Sequence, residues 1–198
     1  MSMPEPRIGA VILAAGRGTR FGPEPKLLAM LHGEPLIRHV ARAALASSAR
    51  PVVVVLGAHS DAVGAALAGL DLRLVDNPDS AVGLSTSLRA GLAAMPDAID
   101  AVVVLLGDMP RITAAHLDGL IAVYRAAEPR PSAVVPVTGG RRGNPVLLDL
   151  DKLKEVLENL SGDTGAGPLL AGRGDVIEVE MDDAVAFDVD TPAALAGG

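Results

Sequence analysis

The sequence predicts an α/β fold, a three-layer sandwich with a mostly parallel central sheet. Short apolar runs rich in β-branched residues recur at 10–13, 51–56 (PVVVVL), 72–75, 101–106 (AVVVLL) and 133–137. Arg73 is the one polar residue within them, so each is expected to be buried on both faces, as strands of a helix-covered parallel sheet are. Helical periodicity fills the intervals, and strand and helix alternate as far as about Val137.

The first strand, 10–13, feeds a glycine-rich loop that carries Arg17 and Arg20 and closes on Pro25-Lys26-Leu27. Leu36, Ile37, Val40 and Ala44 then mark one face of a helix. Leu84, Leu88, Leu92 and Met95 mark a second helix after the strands at 51–56 and 72–75. Leu117, Leu120, Ile121 and Tyr124 mark a third after 101–106. Beyond Gly139 the rhythm loosens. A turn-rich basic stretch, GGRRGNP, leads into Val146-Leu147-Leu148, and DKLKEVLENL reads as a helix with Asp151 as its N-cap. A second glycine-rich loop spans 161–167. Strands are expected near 176–179 and 184–187, and Asp188-Val189-Asp190-Thr191-Pro192 opens a last short helix. No linker or repeat interrupts the chain, so 1–198 is expected to form one domain with a modified C-terminal third.

Composition excludes several functions. With two Phe, one Tyr and no Trp, the chain has almost no aromatic platform for stacking single-stranded nucleic acid. A net charge of −7 argues against a duplex-binding face. A local cluster of Arg and Lys can still hold a small anion. The absence of cysteine removes disulfides, thiolate metal sites and a cysteine nucleophile. No apolar run approaches the roughly 20 residues that span a bilayer, and MSMPEPRIGAVILAAG lacks a signal pattern. A cytoplasmic protein without membrane or nucleic-acid partners is expected.

The loop 13–26 meets neither common phosphate pattern. It has no Gly-Lys-Ser/Thr, and G-x-G-x-x-G starts at Gly16 and Gly18 but meets Phe21 at the third glycine. Pro23 and Pro25 oppose a helix start here, so the loop reads as a longer, non-helical clamp. Lys26 is one of three lysines against 14 arginines. A compact ammonium suits a phosphate oxygen in a tight site, where a guanidinium fork would crowd. Asp108, in LLGDMP, stands at the carboxyl end of a buried strand, where ligands of open α/β sheets gather, and is a candidate Mg²⁺ ligand. Its plainer role is to cap the turn before Pro110. Gly83, Ser85 and Ser87 open a helix, where hydroxyls can meet a base or ribose or act as caps. Asp188 and Asp190, two apart on an extended segment, point the same way and could approach one metal, Asp190 being favoured. The four histidines show no ligand spacing.

LAAGRGTRFG…PK, followed in order by GLSTSL, LLGDMP, RGNPV, SGDTGA and DVDTP, resembles the molybdenum cofactor nucleotidyltransferases (MobA/MocA-like), nearer the cytidylyltransferase branch. The resemblance implies that Leu13, Ala14, Ala15, Gly16, Arg17, Gly18, Arg20, Lys26 and Gly107 hold the nucleoside triphosphate, with Arg20, Lys26 and Asp108 catalytic. It places Gly83, Ser85 and Ser87 near base and ribose, Asp108 and Asp190 on Mg²⁺, and Gly143, Asn144 and Asp163 in the acceptor pocket. The part from about 7 to 138 would then bind nucleotide and that from about 139 to 198 the acceptor. Ala14-Ala15 stands where the guanylyl branch carries LAGG, which points to CTP rather than GTP. The segment 22–26 is one residue longer than the family's usual spacing. The implied reaction is CMP transfer to the terminal phosphate of molybdopterin, with molybdenum hydroxylase maturation proteins as further partners. The alternatives are guanylyl transfer, a sugar-phosphate or phospholactate acceptor, and a non-catalytic cofactor-binding maturation factor. A dinucleotide-binding oxidoreductase is disfavoured by the missing third glycine.

Overall fold

The first strand, β1 (Ile8–Ala14), is buried at every residue because it lies inside the sheet with a neighbour on each side. The computed structural model describes residues 4–16, 18, 21–22, 25–162 and 165–196. After β1 come a small hairpin, β2 (Met30–Leu31) and β3 (Glu34–Pro35), then α1 (Leu36–Ala46), β4 (Val52–Leu56), α2 (Ser60–Ala66) and β5 (Arg73–Asp76). Next follow α3 (Leu84–Ala93), β6 (Ala101–Leu106), α4 (Ala114–Ala126), β7 (Ala133–Thr138), β8 (Arg141–Arg142) and β9 (Val146–Asp149). The described chain closes with α5 (Lys154–Glu158), α6 (Ala166–Leu169), β10 (Val176–Glu180) and α7 (Pro192–Ala196).

The strand order is β10-β7-β9-β6-β1-β4-β5, with β8 paired to β7. β6, β1, β4 and β5 run parallel, β7 and β10 pair parallel, and β9 runs antiparallel between β6 and β7. Alternate residues of each strand serve opposite faces. Ala10, Ile12, Val54 and Val103 meet α1, α2 and α4 through Ile37, Val40, Val63 and Leu117. Val11, Leu13, Val55 and Val104 meet α3 and α5 through Leu88 and Leu157. Apolar side chains on both faces account for the unbroken runs in the sequence, and the three-layer, mostly parallel architecture is as expected.

Four local expectations are corrected. β5 is largely exposed rather than buried on both faces, because it is an edge strand whose partner in the sheet is β4. The inner face of α3 is Ser85, Thr86, Ser87, Leu88 and Gly91, while Leu84 and Leu92 are only partly buried. A Cβ on Gly91 would lie 2.5 Å from Val11 Cγ1, so the bare glycine lets the helix sit close on β1 and turns its hydroxyls inward. The helix expected over 151–160 is confined to Lys154–Glu158. The carboxylate that accepts from the turn before it is Asp149, from the Lys152 N–H at 2.9 Å, not Asp151. The stretch near 184–187 is a 3-10 turn, Asp183–Ala186, instead of a strand. Asp182 closes that turn by accepting from the Ala184 N–H at 3.0 Å. Among the described residues no helix is long and apolar enough to cross a membrane.

Candidate active site

From β1 the chain passes outward to β4 and β5, and then returns to lay β6 on the other side of β1. The order therefore reverses between β1 and β6, and a crevice opens at their carboxyl ends, where ligands of such sheets bind. The Gly107 N–H donates to Leu13 O at 3.0 Å, which extends the β1–β6 pairing to the mouth of the crevice. A Cβ on Gly107 would press on Ile37 Cδ1 at 3.0 Å and Leu13 O at 3.2 Å. On the other flank, a Cβ on Gly57 would meet Ala15 O at 2.5 Å. These close approaches seat the start of the glycine-rich loop directly on the strand ends.

The loop then turns back through Gly18, at φ +58°, whose carbonyl accepts from the Phe21 N–H at 2.9 Å. Lys26 opens a one-turn 3-10 helix, Lys26–Leu28, anchored by buried Leu27. Its ammonium lies 2.7 Å from Asp108 Oδ2 and 2.9 Å from Asp190 Oδ1. The Lys26 side chain is 12% exposed, Asp108 20% and Asp190 50%, so the pair with Asp108 is the better shielded of the two. Burial pulls the ammonium pKa down, but the Asp108 and Asp190 carboxylates outweigh it and hold Lys26 above its ordinary value. Asp188 is raised by burial first and then by the charges of Asp190 and Asp108, with Lys26 opposing.

Asp108, Asp188 and Asp190 each bring an oxygen within 4.8 Å of the others. Asp108 Oδ1 is buried and without a hydrogen-bond partner among the described residues. An all-carboxylate set with one unmet oxygen fits a hard divalent cation such as Mg²⁺ or Mn²⁺. The segment that supplies two of the three is tied down by the Val189 N–H, which donates to Asp108 O at 3.0 Å. It is also held by a small apolar cluster of Val189, Phe21 and Leu36 with Phe187 and Leu195 against it. Residues from both termini of the sequence are thus joined beside the crevice. Arg17, Arg20 and Asp163, expected here from the sequence, lie outside the described residues.

At the carboxyl end of β5, Gly83 (φ +141°) precedes α3. The hydroxyls expected to meet a nucleotide divide into two groups. Ser87 Oγ accepts from Asn77 Nδ2 at 3.0 Å, and Thr86 Oγ1 accepts from the same nitrogen at 2.9 Å and donates to Gly83 O at 2.8 Å. Ser85 Oγ is buried with no partner among the described residues. Asn77, which also accepts from the Asp79 N–H at 3.0 Å, is a positioning residue whose role the sequence alone does not assign. An Asn-Pro pair directly after a strand was the available signal.

A cavity of about 220 Å³ runs from Leu13, Leu84 and Leu106 to Arg142, Gly143 and Asn144, bringing the expected acceptor residues next to β1 and β6. A Cβ on Gly143 would lie 2.2 Å from Val185 O, which accepts from the Asn144 N–H at 2.9 Å. Arg142, from the basic stretch GGRRGNP, is paired with Glu178 Oε1 at 2.7 Å. A larger cavity of about 880 Å³ lies at the opposite end of the sheet, beside Met95, Asp100, Tyr124, Asp149 and Leu157.

Residues 10–178 match the MobA-like NTP transferase domain. The chain is 32% identical over 191 residues to the nicotine blue oxidoreductase of Paenarthrobacter nicotinovorans, covering 94% of this chain and 93% of that protein. It is 38% identical over 145 residues to the 2-C-methyl-D-erythritol 4-phosphate cytidylyltransferase of Streptomyces avermitilis, covering 68% of this chain and 56% of that one. It spans 25% of the length of the bifunctional GlmU protein of Clavibacter sepedonicus, which it also matches. Among solved structures, Rv0371c of Mycobacterium tuberculosis H37Rv superposes with a TM-score of 0.84 at 28% identity over 98% of both chains. The manganese complex of Rv0371c gives 0.81 at 29% identity, over 96% of this chain and 97% of that one.

Proposed function

The chain belongs to the MobA-like NTP transferase domain family and is a nucleotidyltransferase, and we propose that it transfers CMP from Mg²⁺-CTP to the terminal phosphate of a molybdopterin-type acceptor. The observation that carries this reading is the meeting of Lys26, Asp108 and Asp190 between the carboxyl ends of β1 and β6. An acceptor phosphate oxygen attacks the α-phosphorus of the nucleotide. The bond from that phosphorus to the bridging oxygen breaks, and pyrophosphate leaves with the electron pair. A phosphate monoester is largely dianionic near neutral pH, its second pKa being about 6, so the nucleophile needs no general base.

Catalysis then consists of placement and charge neutralisation. Lys26, Arg17 and Arg20 meet the triphosphate, and the backbone of Gly16 and Gly18 gives it close access. Asp108 and Asp190, with Asp188 beside them, would hold the divalent cation, which supplies further positive charge at the phosphates. Ser85 reaches base or ribose with its unmet hydroxyl, whereas Ser87 acts through Asn77. Gly143, Asn144 and Asp163 line the acceptor side. CTP is favoured by Ala14-Ala15 in place of Ala-Gly, and by the similarity to a cytidylyltransferase.

Pyrophosphate release with molybdopterin and each of CTP, GTP, UTP and ATP tests the proposal, with CTP expected fastest. Preference for GTP moves the assignment to the guanylyl branch, and no release with any triphosphate removes it. The full-length similarity to a protein named nicotine blue oxidoreductase favours a second reading, redox turnover on the same fold. NAD(P)H consumption with nicotine blue would reveal it, and none is expected.

A further inference from the structure

Lys26 stands where a metal ion would have to stand. Its ammonium is 2.7 Å from Asp108 Oδ2 and 2.9 Å from Asp190 Oδ1. Those two carboxylates, with Asp188, are the oxygen donors gathered within 4.8 Å of one another. A divalent cation on the same group would share its ligands with a positive charge, and like charges repel strongly in a partly dry site. Among the described residues Asp108 Oδ1 remains buried without a partner, so Lys26 satisfies the cluster only in part. On its other side Lys26 touches the phosphate loop, since a Cβ on Gly18 would lie 2.9 Å from Lys26 Cβ. A lysine carries its charge on a flexible four-carbon stem. Its ammonium can therefore swing from the carboxylates to a triphosphate on the loop while the backbone stays in place.

We propose that Lys26 is an exchangeable counter-ion: in the free protein it occupies the carboxylate cluster and keeps divalent cations out, and an incoming nucleoside triphosphate draws it away and opens the cluster to the metal. The inference rests on the metal reading of Asp108, Asp188 and Asp190 given above. It makes Lys26 the link between two ligands, so each raises the protein's affinity for the other. Chelation of metal by the triphosphate would couple them as well. The discriminating measurement is therefore metal binding without nucleotide.

Mn²⁺ titration of the free protein, followed by the electron paramagnetic resonance of unbound ion, reads this directly. Lys26→Met is expected to bind Mn²⁺ at least about tenfold more tightly than wild type, within the usual range of coupling between sites. Lys26→Arg, which keeps the charge, should stay near wild type, and adding Asp108→Asn to Lys26→Met should abolish the gain. Equal affinity in wild type and Lys26→Met overturns the exchange while leaving the metal site standing. No binding by either overturns the metal reading as well.

A measurement on the unaltered chain does not depend on the variants folding. With three lysines in the sequence, the ε-carbon resonance of Lys26 can be followed individually. CTP or GTP added without metal should shift it, and Mg²⁺ alone should not. A Lys26 resonance unmoved by both nucleotides, or moved by Mg²⁺ alone, overturns the proposal.

Discussion

The two ends of the central sheet contain similar polar residues and treat them in opposite ways. At the amino end, Tyr124 donates to Asp149 Oδ2 at 2.7 Å, and Asp149 Oδ1 accepts from the Lys152 N–H at 2.9 Å. Ser132 donates to Asp175 Oδ1 at 2.9 Å, and Arg173 Nε meets the same oxygen at 3.0 Å. Hydrogen bonds from Arg173 and then Ser132 hold Asp175 below its ordinary pKa. The Arg50 guanidinium donates to the carbonyls of Ala44, Ser47 and Ala49. At the carboxyl end lie Ser85 Oγ and Asp108 Oδ1, the buried side-chain atoms that lack a partner among the described residues. The larger cavity belongs to the satisfied end and the smaller to the unsatisfied one. Unmet polar demand, more than volume, marks the site, because a buried polar atom without a partner costs stability unless a ligand completes it.

Substitutions at the two ends should therefore separate activity from stability. The largest effect is expected for Asp108→Ala or Lys26→Ala. Turnover should fall ~100-fold or more, the range seen when one electrostatic donor is removed, with circular dichroism unchanged. Near-normal rates in both variants would remove the active-site assignment.

Next comes Tyr124→Phe at the satisfied end. It leaves a buried carboxylate oxygen unpaired and should cost about 1–3 kcal/mol of stability, measured by urea unfolding, while turnover stays within about twofold. Burial, followed by the hydrogen bond to Asp149, raises the Tyr124 pKa. The fold thus favours the protonated phenol. Its contribution is fully present below the unfolded value of about 10 and is lost as pH rises through the higher folded value. A wild-type chain no more sensitive to alkali than Tyr124→Phe would contradict this.

The smallest effect is expected for Ser85→Ala. Removing an unpartnered buried hydroxyl should leave stability unchanged or slightly higher, yet weaken CTP binding by roughly 0.5–1.5 kcal/mol, one hydrogen bond's worth. Calorimetry on the two proteins decides it. A loss of stability with unchanged affinity would make Ser85 a structural residue like Ser87.

Much of the fold was legible because burial on both faces of a parallel sheet writes itself as unbroken apolar runs, as in β4 and β6. Legibility failed where neighbours decide. Leu74 sits in an expected strand of the same kind, interrupted by Arg73, yet it is exposed because among the described residues β5 is the edge of the sheet. α3 turns its serines inward because Gly91 fits against Val11, a contact between residues far apart in sequence. Asp149 displaced Asp151 as the turn acceptor because it was already buried beside Tyr124.

At the candidate site, Lys26, Asp108 and Asp190 could each be named from the sequence, since lysine scarcity, a strand-end carboxylate and a paired-Asp motif are local signals. Their ion pairs could not, nor could the gathering of Asp188 and Asp190 around Asp108. By itself the sequence determined the parallel α/β architecture and the residue types capable of phosphate and metal chemistry, because periodicity and charge are carried by short segments. Only the tertiary structure decided that 188–190 reaches Lys26. That meeting depends on Val189 packing with Phe21 and Leu36 and on one backbone hydrogen bond to Asp108, and contacts across such a separation form only when the whole sheet is in place.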